Sequence, residues 1–265
     1  MADDIDNLLQ LAKQVAATGA AVHRQGFGRP LSARAKSSEI DLVSEIDLET
    51  EQVMVGHILR ERPGDGILSE EGTNRSGHTG VCWILDPLDG TTNYLYGYPA
   101  FGIAVGVEIN GQGVVGVVHD TYHNRVYAGA VGQGATCDGK SITVSACTSL
   151  ETALIATGFF PDRTIRRHQE AVLTELLPRV RDIRRSGSPI LDLCGVASGR
   201  TDGFYECGLR QWDITAGAVI ARAAGAKVTS LPQQEPISPL LVASAPGIHD
   251  GLLELIVAAW QQGKG

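Results

Sequence analysis

Asp86-Pro87-Leu88-Asp89-Gly90-Thr91-Thr92-Asn93 follows directly on the apolar run Val81 to Leu85. A buried strand that ends by presenting two carboxylates, separated by a proline and one apolar residue, offers hard oxygen ligands to a cation. Pro87 fixes the turn and removes a donor. Gly90 lets the backbone approach a ligand closely. Thr91 and Thr92 can cap a following helix whose amides face an anion. Carboxylates for a cation beside amides for a phosphate are what metal-assisted phosphoryl chemistry requires. Three other segments are acidic: Asp41-Leu42-Val43-Ser44-Glu45-Ile46-Asp47, Ser69-Glu70-Glu71-Gly72 and Trp212-Asp213. Each alone has an ordinary explanation as a turn, a solvated pair or a helix cap. If Glu70, Asp86, Asp89 and Asp213 share one pocket, like charges about 4 Å apart cost roughly 4 kcal/mol per pair at an effective dielectric near 20. Such a pocket binds protons, opens, or holds cations, and an all-oxygen donor set favours Mg²⁺ or Mn²⁺ over Zn²⁺.

The elements that must position these acids are legible in outline. Ile5, Leu8, Leu9, Leu11, Ala12, Val15 and Ala16 recur with helical period, so the chain opens on an amphipathic helix. A polar loop through Lys36, Ser37 and Ser38 precedes a second helix over 47–62, stopped by Pro63 and Gly64. The run 81–85 predicts a buried strand terminating in a turn at Asp86-Pro87. Strands over 101–109 and 114–119 are joined by Asn110-Gly111, a strong hairpin signal, and 126–130 and 142–144 extend that antiparallel sheet. From about residue 150 strands and helices alternate: strands at 153–157, 180–183, 203–206 and 240–244, helices at 165–177, 190–197, 211–224 and the C-terminus. This order predicts an α+β lobe over 1–145, carrying most of the acids, fused to an α/β lobe over 146–265 that carries Asp213, the two forming one compact unit.

The 265 residues are 43% hydrophobic, enough for a sizeable core. A formal net charge of −8 argues against nucleic-acid binding and means that a phosphorylated substrate is repelled unless bound cations reverse the local charge. The five cysteines show no metal or redox spacing. The first residues carry acids where a secretion signal carries basic ones, and no apolar run spans a bilayer, so a cytoplasmic protein without a membrane partner is expected.

The acidic segments, in this order and at these separations, resemble the inositol monophosphatase family of the lithium-sensitive phosphatase superfamily. The resemblance runs from Lys36 to the tail. Asp86 to Asn93 fits the family's first signature and Trp212-Asp213 through Ala216-Gly217 its second, while Ser69-Glu70-Glu71 fits the acidic pair. Asp41 to Asp47 fits the early acidic stretch, with Ser44 where threonine is common, and Leu88 stands where isoleucine is usual. The resemblance implies a layered αβαβα sandwich of the type shared with fructose-1,6-bisphosphatase, two or three Mg²⁺ with Mn²⁺ as a substitute, lithium sensitivity and a homodimer. It implies Glu70, Asp86, Asp89, Asp213 and the Leu88 carbonyl as metal ligands, with Glu70 preferred to Glu71. It implies Thr91, supported by Asp47, as the group that orients the attacking water, with Glu70 sharing in catalysis, and the amides of Gly90 and Thr91 as the phosphate cradle. Few charges around Phe101 to Val118 protect an edge, which gives indirect support to the dimer.

The implied reaction is Mg²⁺-dependent hydrolysis of myo-inositol 1-phosphate, or a similar phosphorylated polyol, by metal-activated water. The rivals are another monoester (histidinol phosphate, fructose 1,6-bisphosphate or a nucleotide 3′-phosphate) and a non-catalytic metal- and phosphate-binding scaffold. On the substrate side, Arg184-Arg185-Ser186-Gly187-Ser188 precedes a helix that Ser188 would cap and Pro189 would open. In the family this stretch lines the sugar pocket, so Gly187, Ser188 and Pro189 join Leu88, Asp89, Gly90, Thr91 and Asp213 as substrate-binding positions, with Glu206 as the acid for substrate hydroxyls. Pro189, commonly alanine in the family, is expected to narrow the preference among sugar phosphates. Gly134 to Ser141 formally matches the P-loop pattern, but Asp138-Gly139 is a hairpin turn and β-branched Ile142, Thr143 and Val144 follow where a helix is required.

Overall fold

The computed structural model describes residues 2–29, 33–35, 42–160, 162–231 and 240–262; Lys36 to Asp41, which include one acid of the early stretch, lie outside them. The first half contains α1 (Ala2–Gly26), β1 (Ala33–Ala35), β2 (Leu42–Ser44), α2 (Glu45–Glu61), β3 (Gly66–Ser69), β4 (Asn74–Arg75), β5 (Val81–Asp89), α3 (Thr91–Tyr96), β6 (Gly102–Ile109), β7 (Gln112–Asp120), β8 (Arg125–Ala130), β9 (Gly134–Cys137) and β10 (Lys140–Ile142). The second half contains β11 (Leu154–Thr157), α4 (Arg163–Leu176), β12 (Asp182–Arg184), α5 (Pro189–Ala197), β13 (Gly203–Cys207), α6 (Gln211–Ala223), β14 (Lys227–Leu231), β15 (Leu240–Ser244) and α7 (His249–Gln262).

The larger sheet runs β10-β9-β8-β7-β6-β5-β3-β4 and the smaller β12-β11-β13-β15-β14. Strand alternation decides what covers each face. Ile103, Val105 and Val107 pack with Leu8, Ala12, Val15 and Met54 of α1 and α2. Ala104, Val118 and Tyr127 face the other way, onto Ile190, Cys194, Ala216 and Ile220 of α5 and α6. Those two helices meet the smaller sheet through Leu193 and Val196 of α5 and Ile214 of α6, which pack with Phe204 and Leu241, and α4 and α7 cover its far face around Ile155, Val172, Val242 and Ile256. The result is the expected αβαβα layering. Close approach in the middle depends on Gly116, where an added Cβ would stand 2.2 Å from the Ala216 carbonyl oxygen of α6.

Three local expectations change. Val81 does not begin a strand that stops before the acids; β5 continues through Asp89, with a register shift between Asp86 and Asp89. The strand expected over 142–144 ends at Ile142, because the Val144 amide turns to the Ala224 carbonyl at the end of α6, 3.1 Å away. Strands β6 and β7 lie inside the larger sheet, so their lack of charge reflects burial on both faces and says nothing of an exposed edge. The P-loop look-alike is the β9–β10 hairpin, turning at Asp138 (φ 52°) and Gly139 (φ 76°). Among the described residues no helix is long and apolar enough to cross a membrane, and all five cysteines are free.

Candidate active site

Three pieces of architecture converge on one cavity of about 450 Å³. Parallel pairing of β3 with β5 sets Ser69 opposite Leu85, and the Glu70 amide donates to the Leu85 carbonyl at 3.2 Å. Residue 70 therefore leaves its strand beside residue 86. The first turn of α6 delivers Asp213, whose Oδ2 accepts from the Arg210 amide at 2.6 Å. The β5 bulge supplies Asp86 and Asp89. Ligand-competent atoms of Asp86, Asp89 and Asp213 all lie within 4.8 Å of one another. Glu70 lines the same cavity, and Glu71 is not among its lining residues; instead the Glu71 amide donates to Glu51 Oε2 at 3.1 Å.

The electrostatics are those of an acidic cluster short of positive charge. Asp86 is buried, its Oδ1 accepts from the Leu88 amide at 3.1 Å, and its Oδ2 meets no hydrogen-bond donor. Burial, and then the charges of Glu70, Asp89 and Asp213, hold its pKa well above the ordinary carboxylate range. Burial raises Asp89 to about 7 although Ser188 Oγ and the Ile190 amide donate to its Oδ2, at 2.5 and 3.1 Å. Asp213 is raised by burial and by Glu70 and Asp89. A side-chain hydrogen bond with Glu70 also raises Asp86, so without a cation the cluster holds shared protons; a set of hard oxygen atoms this close fits a divalent cation.

Beside the acids, Gly90 (φ 86°) is the N-cap of α3. The left-handed backbone and the Ala100 carbonyl oxygen, 2.8 Å from any added Cβ, together demand glycine there. Thr91 and Thr92 are helical residues rather than caps, and Gly90 makes no side-chain cap. The Thr91 hydroxyl is instead shared between Asp47 Oδ1 at 2.9 Å and the Leu88 carbonyl at 3.1 Å. Asp47 is the third residue of a capping box on α2, and its Oδ2 accepts from the Ser44 amide at 2.8 Å and the Ser44 hydroxyl at 2.5 Å.

Of the positions expected from sequence, Glu70, Asp86, Leu88, Asp89, Gly90, Thr91, Gly187 and Asp213 line the cavity, whereas Asp47, Ser188, Pro189 and Glu206 are not among its lining residues. Asp47 stands behind Thr91 and Ser188 behind Asp89. Pro189 opens α5. The Glu206 carboxylate lies against Gly158, where an added Cβ would stand 2.0 Å from Oε2. Burial and the charges of Asp213, Asp192 and Asp89 raise its pKa, and Arg185 opposes them.

Thr92, Asn93, Phe159, Arg166 and Arg185 complete the lining; Arg185 belongs to the stretch expected at the sugar pocket, whereas Phe159 and Arg166 have no role in the sequence reading. Residues 158–160 follow β11, which pairs in parallel with β13 at Thr157 and Tyr205. The carboxyl ends of parallel strands are where α/β sheets place ligands, so the strand-then-helix pattern at 153–177 held a usable signal. Asn93 joins the halves: its Nδ2 donates to the Ala100 carbonyl at 2.6 Å and the Ser186 carbonyl at 3.0 Å.

A layered fold that gathers carboxylates on the wall of a cavity of this size suits a phosphoric monoester hydrolase of a metal-dependent kind. The chain belongs to the inositol monophosphatase family, whose model matches residues 4–263. It is 43% identical over 232 residues to an inositol-1-monophosphatase of Mycobacterium bovis, covering 84% of this chain and 80% of that protein. It is 34% identical over 233 residues to a protein named Nus factor SuhB in Xylella fastidiosa, covering 84% of each. Among solved structures, the extragenic suppressor protein suhB of Bartonella henselae superposes with a TM-score of 0.89 at 30% identity, over 94% of this chain and 98% of that one.

Proposed function

We propose that this chain hydrolyses myo-inositol 1-phosphate, or a close sugar phosphate, to the free polyol and phosphate in a Mg²⁺-dependent reaction. The observation that carries the reading is the cluster of buried Asp86 and Asp89 with half-buried Asp213, in which Asp86 Oδ2 has no hydrogen-bond partner, on the wall of a cavity that also presents Gly90 and Thr91. The name of the Mycobacterium bovis relative supports the substrate.

Glu70, Asp86, Asp89, Asp213 and the Leu88 carbonyl would hold two or three Mg²⁺, with Mn²⁺ as a substitute. Bound there, the metal supplies Lewis acidity that makes water nucleophilic at neutral pH and stabilises the departing alkoxide. The protein's own groups do the rest. The single proton of the Thr91 hydroxyl is committed to Asp47 and the Leu88 carbonyl, so its lone pairs are left to accept from a water and aim it. Asp47 is fixed by two Ser44 donors and holds Thr91 in that rotamer. The amides of Gly90 and Thr91 cradle the phosphate. Gly187 lies at the polyol side, with Ser188 and Pro189 behind it and Glu206 accepting from polyol hydroxyls. Arg166 and Arg185, both exposed at the lining, oppose the repulsion of an anionic substrate by a chain of net charge −8. We read the protein as a cytoplasmic homodimer of subunits built from lobes 1–145 and 146–265, on the strength of the family resemblance.

A substrate panel tests the assignment. With Mg²⁺ present, kcat/KM should be highest for inositol 1-phosphate among inositol 1-phosphate, fructose 1,6-bisphosphate, histidinol phosphate and a nucleotide 3′-phosphate. A clear preference for one of the last three would replace the substrate but keep the chemistry. The name of the Xylella fastidiosa relative motivates a second reading, a non-catalytic role; the complete set of carboxylates with Thr91 favours catalysis, and no turnover of any ester in the panel would favour the second.

A further inference from the structure

The β5 bulge removes the Pro87–Leu88 peptide from the sheet. The ladder to β6 pairs Asp86 with Ala104 and resumes at Asp89 with Gly102, so Pro87 and Leu88 have no ladder partners. Pro87 has no N–H either. Pro87 is buried, and among the described residues the side chain that meets its carbonyl is His23, whose Nε2 stands 2.9 Å away. A carbonyl only accepts, so Nε2 carries the hydrogen. The other ring nitrogen, Nδ1, lies 3.0 Å from Thr121 Oγ1 and accepts from that hydroxyl. The ring is neutral, because burial lowers its pKa to about 3. It is packed near Tyr94 and Phe101, at centroid distances of 5.6 and 6.2 Å, and the Tyr94 hydroxyl donates to the His23 carbonyl at 2.8 Å. His23 is 1% exposed and does not line the site cavity.

The consequence for the site passes through one rigid unit. The Pro87 carbonyl and the Leu88 amide belong to the same planar peptide. At one end the plane is held by His23; at the other the Leu88 amide donates to Asp86 Oδ1 at 3.1 Å. Fixing the carbonyl therefore fixes the amide, and the amide fixes the carboxylate whose second oxygen has no donor. The same plane leads into the Leu88 carbonyl that receives the Thr91 hydroxyl.

We propose that His23 is a positioning residue for the metal site: its Nε2–H, through the Pro87–Leu88 peptide, sets the orientation of Asp86 and thereby the affinity for divalent cations. The inference rests on the Mg²⁺ reading above. Outer partners of ligating groups commonly change metal affinity by about 10–100-fold when removed, and here the partner acts across one peptide rather than directly.

The test uses the full chain freed of metal, with Mn²⁺ itself as the probe, its dissociation constant measured by electron paramagnetic resonance or calorimetry. His23→Gln places an amide nitrogen near the position of Nε2 and keeps the donor to Pro87. His23→Asn reaches only as far as Nδ1 and loses it. His23→Leu removes all polarity. The Leu and Asn variants should bind Mn²⁺ roughly tenfold more weakly or worse, and Gln should recover most of that loss. A ring that merely fills space predicts losses that follow side-chain size, so Leu, about as large as Gln, would bind Mn²⁺ as Gln does; the donor role places Leu with Asn instead, and His23→Met, as long as Gln but without a donor, decides the matter where Leu fails to fold. Equal Mn²⁺ affinity in the Asn and Gln variants, with wild type binding normally, overturns the role of His23 alone. A wild-type protein that binds no Mn²⁺ overturns the metal reading and this inference with it.

Discussion

Replacing Asp86 by asparagine should stabilise the metal-free protein while destroying the metal site. The side chains are nearly isosteric, and asparagine keeps a carbonyl oxygen for the Leu88 amide that now bonds Oδ1. It puts an NH₂ where the donor-less Oδ2 stands among other carboxylates. Two full charges at 4.8 Å, the outer limit of the separations in this cluster, repel by about 3.5 kcal/mol at an effective dielectric near 20. Shared protons and solvent in the open cavity reduce the realised gain to about 1–3 kcal/mol, or about 3–10 °C in Tm for a chain of this size. The effect has a pH signature. Asp86 holds its proton more tightly folded than unfolded, so its contribution to stability is full below the unfolded pKa of 3.8 and is lost as pH rises towards the raised folded value. Wild type in EDTA should therefore lose stability as pH rises above about 4, and Asp86→Asn should show a flatter profile. Mg²⁺ at about 1,000 times its Kd should add about 4.1 kcal/mol to wild type and little to the variant, reversing their order. Differential scanning fluorimetry in EDTA and in Mg²⁺, from pH 5 to 8, measures both. A variant less stable than wild type in EDTA, or equally stabilised by Mg²⁺, would refute the electrostatic account of the cluster.

Thr91→Ala removes the hydroxyl held by Asp47 and the Leu88 carbonyl but no carboxylate; kcat should fall by about 10²–10⁴ while Mn²⁺ affinity stays close to wild type, and parallel losses in both would make Thr91 a structural residue only. Glu206→Gln should weaken inositol 1-phosphate more than glycerol 2-phosphate, by about tenfold in relative kcat/KM, because only the former offers a ring of hydroxyls; a uniform loss would place Glu206 outside polyol recognition.

The chemistry was more legible than the geometry that produces it. Asp86, Asp89, Glu70 and Asp213 each have an ordinary local explanation; their order and separations, which resemble the inositol monophosphatase family, bring them together, and their mutual repulsion in one pocket then points to cations. The pairing that unites them was not visible. Gly66–Ser69 is too short to announce a strand, yet its parallel register with β5 is what sets Glu70 beside Asp86. Lys227–Leu231, partly exposed along its length, carries too weak an apolar pattern to signal the edge strand it forms. The bulge at Pro87 was hidden because Asp-Pro ordinarily ends a strand, whereas here the ladder resumes two residues later. His23 was hidden for the opposite reason: with Arg24 it looks like the basic last turn of a helix. Its spacing from Ala12, Ala16 and Ala20 nevertheless puts it on the buried stripe of α1, and a histidine on that stripe must find partners inside the protein.

The most direct test of the whole account is phosphate release from myo-inositol 1-phosphate by the purified chain, in EDTA and in millimolar Mg²⁺, alongside Asp89→Asn. The account predicts turnover that requires Mg²⁺ and falls by several orders of magnitude in the variant, which keeps a folded circular-dichroism spectrum. Release that persists in EDTA, or near-normal turnover by Asp89→Asn, would contradict it.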